Sequence, residues 1–386
     1  MILLGMAIFF PSSVDGDFGA LKLERFAYLI VTLVAFGYRY FKVSRFSLIL
    51  FLMIAALYVF FTLFSKYYEH AFGYILNIFP IMVLALLRVK EVPSVVWVIR
   101  LYYISVVFIF VLAYLGFVVP AVSEFMIDFY SGGYEGLSER FQSQFIPVSI
   151  FVSHSYAGFF YFLILFSSCY LISCGYSKLL NFLIVVVCLI SMLRLISGTS
   201  YFFFLYSLFF LGAIVLCLNN KKYFFVFLKV LFLLISVPLV IYLGVRFVPD
   251  LVGRIIGDSS NGLLSRYGGG VLKENLAYIA SNPLFGIGFS YSDKFYYTDS
   301  DYVVTFLRLG IVGGFIYFAY IFLFIYASIR GSIGLFYFSV FVVAILVFMI
   351  SMPVSSFYRT TPLLLLLVLL YNSTSNSRDV YFSEKT

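Results

Sequence analysis

Apolar residues in this chain come in long unbroken runs, not at the two-residue spacing of a strand or the 3.6-residue spacing of an amphipathic helix. Between polar breaks, twelve runs stand out: 1–10, 26–37, 46–64, 72–87, 95–118, 147–172, 180–196, 201–218, 223–246, 302–326, 333–350 and 360–371. A helix needs about 20 apolar residues to cross the hydrocarbon core of a bilayer. The run 1–10 is too short to span comfortably, and 26–37 and 360–371 need flanking residues to complete them. The pattern predicts an all-α polytopic membrane protein of about twelve transmembrane helices, with residues 1–386 as a single integral membrane domain. Two connections are long, 119–146 and 247–301, and a polar tail covers 372–386. Loops longer than about 15 residues are usually functional or disordered. These two carry aromatics, Gly and Pro, not a polar low-complexity run.

Composition agrees with the pattern and removes other classes. Hydrophobic residues make up 63% of the chain and charged residues 11%; a soluble domain carries about 25% charged residues. That excludes a soluble enzyme, a disordered chain and a secreted disulfide scaffold. The net charge of +8 contains no basic block long enough to grip a duplex, so nucleic acid is not an expected partner. Cys169, Cys174, Cys188 and Cys217 lie in or beside apolar runs and read as soft buried fillers. Met1–Phe10 lacks the basic start and small-residue cleavage site of a removable signal peptide.

Sorting the charges by segment gives an orientation. With the N-terminus inside, the inner segments are 38–45, 88–94, 173–179, 219–222, 327–332 and 372–386, and they hold eleven Lys and Arg. The outer segments are more than twice as long in total and hold nine. Both termini are therefore expected on the cytoplasmic side, and both long loops on the outer side. Of the 17 acids, none falls inside a predicted span and fourteen lie in outer segments. An ion-coupled transporter usually keeps a carboxylate at mid-membrane, so this distribution counts against that class.

Five basic residues fall within the spans. Arg100 and Lys229 sit near the inner ends, where snorkelling to the headgroups accounts for them. Arg194, Arg246 and Arg308 sit near the outer ends of three different runs, and Arg254 and Arg266 follow in the long loop. A guanidinium keeps its charge when partly desolvated and binds phosphate through two parallel hydrogen bonds. These five are candidates for binding a pyrophosphate; outer-leaflet snorkelling or pairing with Glu139 or Asp258 is the structural alternative. Asp301, Thr305 and Arg308 follow one another at i, i+4 and i+7, on one helix face. Asp301 serves equally well as a helix-start acid after Asp299 and Ser300. His154, beside Ser153 and Ser155, reads either as a base or as an interhelical hydrogen bonder. The two histidines are distant and belong to no Cys/His/Asp cluster, so a protein-built metal site is not expected. Gly310, Gly313 and Gly314 read as close-packing positions between membrane helices.

Several segments together carry a resemblance: Ser265-Arg266, Ser281-Asn282-Pro283-Leu284-Phe285-Gly286-Ile287-Gly288, Asp299-Ser300-Asp301-Tyr302, and Leu309-Gly310-Ile311-Val312-Gly313-Gly314. Their order resembles that in the O-antigen polymerase (Wzy) branch of the O-antigen ligase/polymerase superfamily, as do the span count, cytoplasmic termini and long outer loops. The chain departs from that family at Ser197-Gly198-Thr199-Ser200, where members often carry an arginine in the turn; the nearest one here is Arg194. The ligase branch typically has a His-Asn pair where this chain has Asp299-Ser300-Asp301, which favours the polymerase branch. The resemblance implies a metal-independent glycosyltransferase, without cofactor, on the periplasmic face of the bacterial inner membrane. Its substrates would be undecaprenyl-pyrophosphate-linked repeat units, and its protein partners a chain-length regulator and a flippase. Arg194, Arg246, Arg254, Arg266 and Arg308 would hold pyrophosphate, with Asp301, Asp299, Glu139 and His154 as candidates for the base. The ligase to lipid A–core and a flippase of lipid-linked oligosaccharides are the rival readings.

Overall fold

The computed structural model describes residues 41–43, 45–63, 87–89, 94–126, 146–151, 154–195, 197–217, 270–287, 300–327 and 360–383, with Phe9, Tyr337, Leu346 and Met349. Expected runs 1–10 (Phe9 apart), 26–37, 72–87 (its last residue apart), 223–246 and 333–350 (three positions apart) lie outside these residues. The described chain is predominantly helical. In order it forms β1 (Phe41–Val43), α1 (Arg45–Leu63), β2 (Leu87–Val89), α2 (Val95–Val118) and α3 (Pro120–Met126). A 3-10 turn at Ser149–Phe151 precedes α4 (His154–Ser173), α5 (Lys178–Arg194) and α6 (Gly198–Cys217). Then come α7 (Gly270–Ser281), α8 (Asp301–Ala327) and α9 (Thr360–Ser383).

Among the described residues, three helices are long and apolar enough to cross a membrane: α2, α4 and, within α8, Asp301–Ala319. Their surroundings differ. In α4, 89% of the most apolar stretch is buried, against 33% in α2. A helix that is apolar all round belongs inside a bundle, and α4 is that central helix, packed on α5 and α6. On α2 one face is buried through Val98, Tyr102, Ile109 and Leu112, while Ile104, Val107, Val111 and Leu115 are exposed. Exposed aliphatic residues on a helix of this length suit contact with lipid tails.

The hairpin between α4 and α5 shows local sequence setting the chain path. Gly175 has φ +87°, its amide donates to the Ile172 carbonyl, and the Tyr176 amide reaches back to Leu171. This is the paired 6→1 and 5→2 closure of a helix C-terminus around a left-handed glycine. Asn181 then ties the turn to α2: its Nδ2 donates to the Tyr176 carbonyl at 2.9 Å and to Tyr103 Oη at 2.8 Å. The four-residue connection makes α4 and α5 antiparallel neighbours.

The described residues are helical as expected, apart from a three-residue pairing of β1 with β2, with Lys42 opposite Arg88. Three sequence expectations need revision. The last helix does not end at residue 371: α9 continues to Ser383, and Asn372, Ser373 and Thr374 are buried. Tyr170 explains the continuation, since its hydroxyl accepts from Thr374 Oγ1 at 2.8 Å and donates to the Tyr371 carbonyl at 3.2 Å. A polar stretch that finds partners on α4 has no need to leave the bundle. The turn at 197–200 is not a separate loop, because Gly198 already begins α6. The long connections contain helices, α3 in the first and α7 in the second.

Candidate functional site

Two groups of polar residues sit in this apolar framework. The first lies on α8. Asp301 is completely buried, and Ser300, Thr305 and Arg308 are buried with it. The opposite side of the same helix carries half-buried Val303 and Phe306 and exposed Ile311 and Phe315. The spacing of Asp301, Thr305 and Arg308 thus corresponds to a real inward face. Asp301 opens the helix and its amide donates to the Met349 carbonyl at 2.9 Å; Tyr302 Oη donates to the Leu346 carbonyl at 2.9 Å. Seven residues of helix separate Asp301 from Arg308, an axial distance of about 10 Å.

Immediately after Arg308 the helix breaks. Gly310 adopts φ 68° and ψ −177°, a region essentially reserved for glycine. In an unbroken helix the Ile311 amide would donate to the Leu307 carbonyl. Here each group has another partner, and both partners come from one segment after α7. The Ile287 amide donates to the Leu307 carbonyl at 2.9 Å, and the Ile311 amide donates to the Pro283 carbonyl at 2.7 Å. One lost helical bond is replaced by two tertiary bonds, which satisfies the requirement that freed backbone groups in an apolar interior find partners.

Close contact makes this exchange possible. A Cβ on Gly310 would collide with the Leu284 carbonyl, and one on Gly286 would meet the Gly310 amide and the Arg308 carbonyl. Gly286 also has a positive φ, +67°. The Asn-Pro-Leu-Phe-Gly-Ile segment and the Leu-Gly-Ile segment, more than 20 residues apart in sequence, therefore form one clasp directly behind Arg308. Reading Gly310 only as a helix-packing residue missed this; its role is to break the helix. Gly314 lies against the Phe306 ring, eight residues earlier and across the break.

The second group forms where α4 begins, α5 ends and α6 begins. His154 is half-buried, with Nδ1 2.8 Å from the Leu195 carbonyl. A carbonyl can only accept, so Nδ1 carries the hydrogen and Nε2 is the basic nitrogen of the neutral ring. Ser200 Oγ donates to the His154 carbonyl at 3.1 Å, and Ser155 Oγ lies 3.5 Å from Ser197 Oγ. Gly158 allows the approach, because a Cβ there would run into Ser200 Oγ. Arg194 precedes Leu195 and is exposed in the last turn of α5, where the helix dipole favours a cation. His154 and Arg194, 40 residues apart in sequence, are thus brought to the same helix junction. The sequence singled out both residues but not the Leu195 carbonyl or Ser200 that join the helices carrying them.

The two groups sit on different packing partners: α8 packs on α7 and α1, while α4, α5 and α6 pack on one another. Asp299, Glu139, Arg246, Arg254 and Arg266 lie outside the described residues. Among the described residues no cluster of three or more His, Cys, Asp or Glu could hold a metal ion. Cys169 and Cys188 are buried and unbridged, as fillers should be. Compared with family models, curated proteins and solved structures, the chain matches none.

Proposed function

We propose that this protein is a polysaccharide polymerase of the bacterial inner membrane. It transfers a growing glycan from undecaprenyl pyrophosphate to a lipid-linked repeat unit on the periplasmic face. The observation that carries the reading is the broken helix α8, with Asp301, Thr305 and Arg308 buried on one face and the break held by the Pro283–Ile287 segment. The residues of this clasp are among those that give the sequence its resemblance to O-antigen polymerases, and they meet next to the buried Arg308 on the helix that opens at the buried Asp301.

The chemistry follows from those groups. The acceptor hydroxyl oxygen attacks the anomeric carbon of the donor, and the bond from that carbon to the pyrophosphate oxygen breaks. Undecaprenyl pyrophosphate leaves with the bonding electrons, and the hydroxyl proton passes to a base. Pyrophosphate is a good leaving group, so the enzyme's main tasks are positioning and stabilising developing negative charge. Arg308 supplies the positive charge that stabilises it, in a site where low water content strengthens the attraction. Asp301, about 10 Å away along the helix, is the base. His154 Nε2 and Arg194 form a second basic and cationic pair at the α4–α5–α6 junction, suited to the other lipid-linked substrate. Arg246, Arg254 and Arg266 remain pyrophosphate ligands in this reading, and Asp299 and Glu139 alternative bases. A chain-length regulator and a flippase are the expected protein partners.

The direct test incubates purified protein with undecaprenyl-pyrophosphate repeat units and separates the products on a gel. A ladder of lengths is expected. Product formed only when lipid A–core is added would mean a ligase, and the absence of any covalent product would mean a transporter.

A further inference from the structure

The clasp behind Arg308 has an outer side that the proposed chemistry does not use. Leu284 and Phe285, at the tip of its turn, are 56% and 57% exposed. On α8, just beyond the break, Ile311, Val312 and Phe315 are 42%, 45% and 63% exposed. The 2.7 Å bond from the Ile311 amide to the Pro283 carbonyl sets these two groups side by side. In water a continuous apolar surface of this kind is a docking site or a liability. Its place along α8 argues against water. The break falls inside Asp301–Ala319, a stretch long and apolar enough to cross a membrane. Leu307, whose carbonyl takes the Ile287 amide, lies six residues from the start of α8, about 9 Å along the axis. The apolar run begins at Tyr302 and a hydrocarbon core is about 30 Å thick, so a turn at that depth lies within it. The turn is built for such a place. Its backbone faces α8, since the Leu284 carbonyl and the Phe285 amide are what a Cβ on Gly310 would strike. Asn282 Nδ2 donates to Ser281 Oγ at 3.1 Å, and Ser281 Oγ donates to the Tyr278 carbonyl at 2.8 Å. Non-helical backbone at membrane depth is tolerated where protein covers it.

We propose that this surface is a lipid contact: the Asn282–Ile287 turn dips into the bilayer beside α8, and Leu284 and Phe285 lie among acyl chains together with Ile311, Val312 and Phe315. From there the chain returns to the start of α8 at Asp301. The turn is held by α8 through its backbone and by lipid through its side chains. Lipid contact thus anchors the segment that closes behind Arg308, and the bilayer helps to keep the clasp in place. The inference does not depend on the polymerase reading.

Trp97 is the only tryptophan in the chain and is exposed, so Trp97→Phe gives a background in which one fluorescent reporter can be placed. Full-length Leu284→Trp and Phe285→Trp variants, each in that background, are reconstituted in phosphatidylcholine nanodiscs with plain or dibrominated acyl chains. Phe315→Trp on α8 serves as the lipid-facing standard. Brominated chains should quench both turn reporters as they quench the standard, and iodide added to the water should quench neither. The two exposed positions are substituted separately, so a folding defect in one variant leaves the other to decide. The proposal is overturned if iodide quenches either reporter, which would put the surface in water and open to a soluble partner. It is equally overturned if brominated chains leave the reporters unquenched, which would mean that protein, from this chain or a second copy, covers them.

Discussion

Arg308 and Asp301 are both buried in an apolar helix, and each has a near-isosteric substitution that separates charge from shape. Lys at position 308 keeps the charge but loses the planar fork that binds phosphate through two bonds. The Arg308→Lys variant should make polymer at least about ten-fold more slowly, read as ladder intensity at equal protein level. Asp301→Asn keeps volume and removes the base, and a general base contributes about 10²- to 10⁴-fold. A ladder at the native rate from this variant would take Asp301 out of the chemistry. At His154 the hydrogen bond allows a sharper division. Asn can still donate to the Leu195 carbonyl from the position of Nδ1 but has nothing in place of Nε2. If Nε2 acts on substrate, His154→Asn should fold normally and lose polymerisation; if His154 only ties α4 to α5, the variant should be active.

At the scale of elements, the clasp between Pro283–Ile287 and the break in α8 has two kinds of requirement, and each can be removed alone. Gly310→Ala introduces a Cβ against the Leu284 carbonyl and forces a side chain into a glycine-only conformation, a strain of about 1–3 kcal/mol before the collision is counted. Ile287→Pro leaves the glycines untouched and deletes the amide that serves the Leu307 carbonyl. Both should lower the thermal midpoint in detergent and abolish the product ladder, because both displace the turn that carries Arg308. Tyr170→Phe makes a useful contrast. It removes the hydroxyl between Thr374 and the Tyr371 carbonyl, and interhelical hydrogen bonds in membranes average about 0.6 kcal/mol. That variant should be slightly less stable and fully active, since the bond anchors α9 and lies away from both polar groups.

For the whole molecule, the β1–β2 ribbon gives a topological constraint. Residues 41–43 and 87–89 are hydrogen-bonded neighbours, so they lie at one depth and on one side of the membrane. The positive-charge count independently assigns both segments to the same face. With Lys42 and Arg88 both replaced by Cys, oxidation should join them, because cross-strand Cα separations of about 4.5–5.5 Å fall within the range a disulfide accepts. Failure to form that bridge in a background without native cysteines would exclude the register.

Much of this was legible in the apolar runs. The expected spans 46–64, 95–118 and 302–326 lie within a residue or two of α1, α2 and α8, because a membrane helix declares itself by length and composition and needs no partner to be recognised. The shared face of Asp301, Thr305 and Arg308 was equally readable, since helical spacing alone decides it. The extension of α9 was not, because Asn372–Thr374 are polar in sequence, and Thr374 meets its partner Tyr170 only across about 200 residues of chain. Nor was the break at Gly310. A glycine in an apolar run is compatible with helix packing and with a kink, and the difference lies in whether another strand of backbone is present to take up Leu307 and Ile311. The ribbon was missed for the same reason: three residues per strand carry no periodicity, and only pairing makes them strands. The sequence by itself therefore determined which segments are helical and apolar, and where charge is tolerated, because these follow from local composition against the bilayer. Only the tertiary structure decided where a helix stops being a helix and which distant polar groups meet, because those outcomes depend on hydrogen-bond partners that the chain brings from elsewhere.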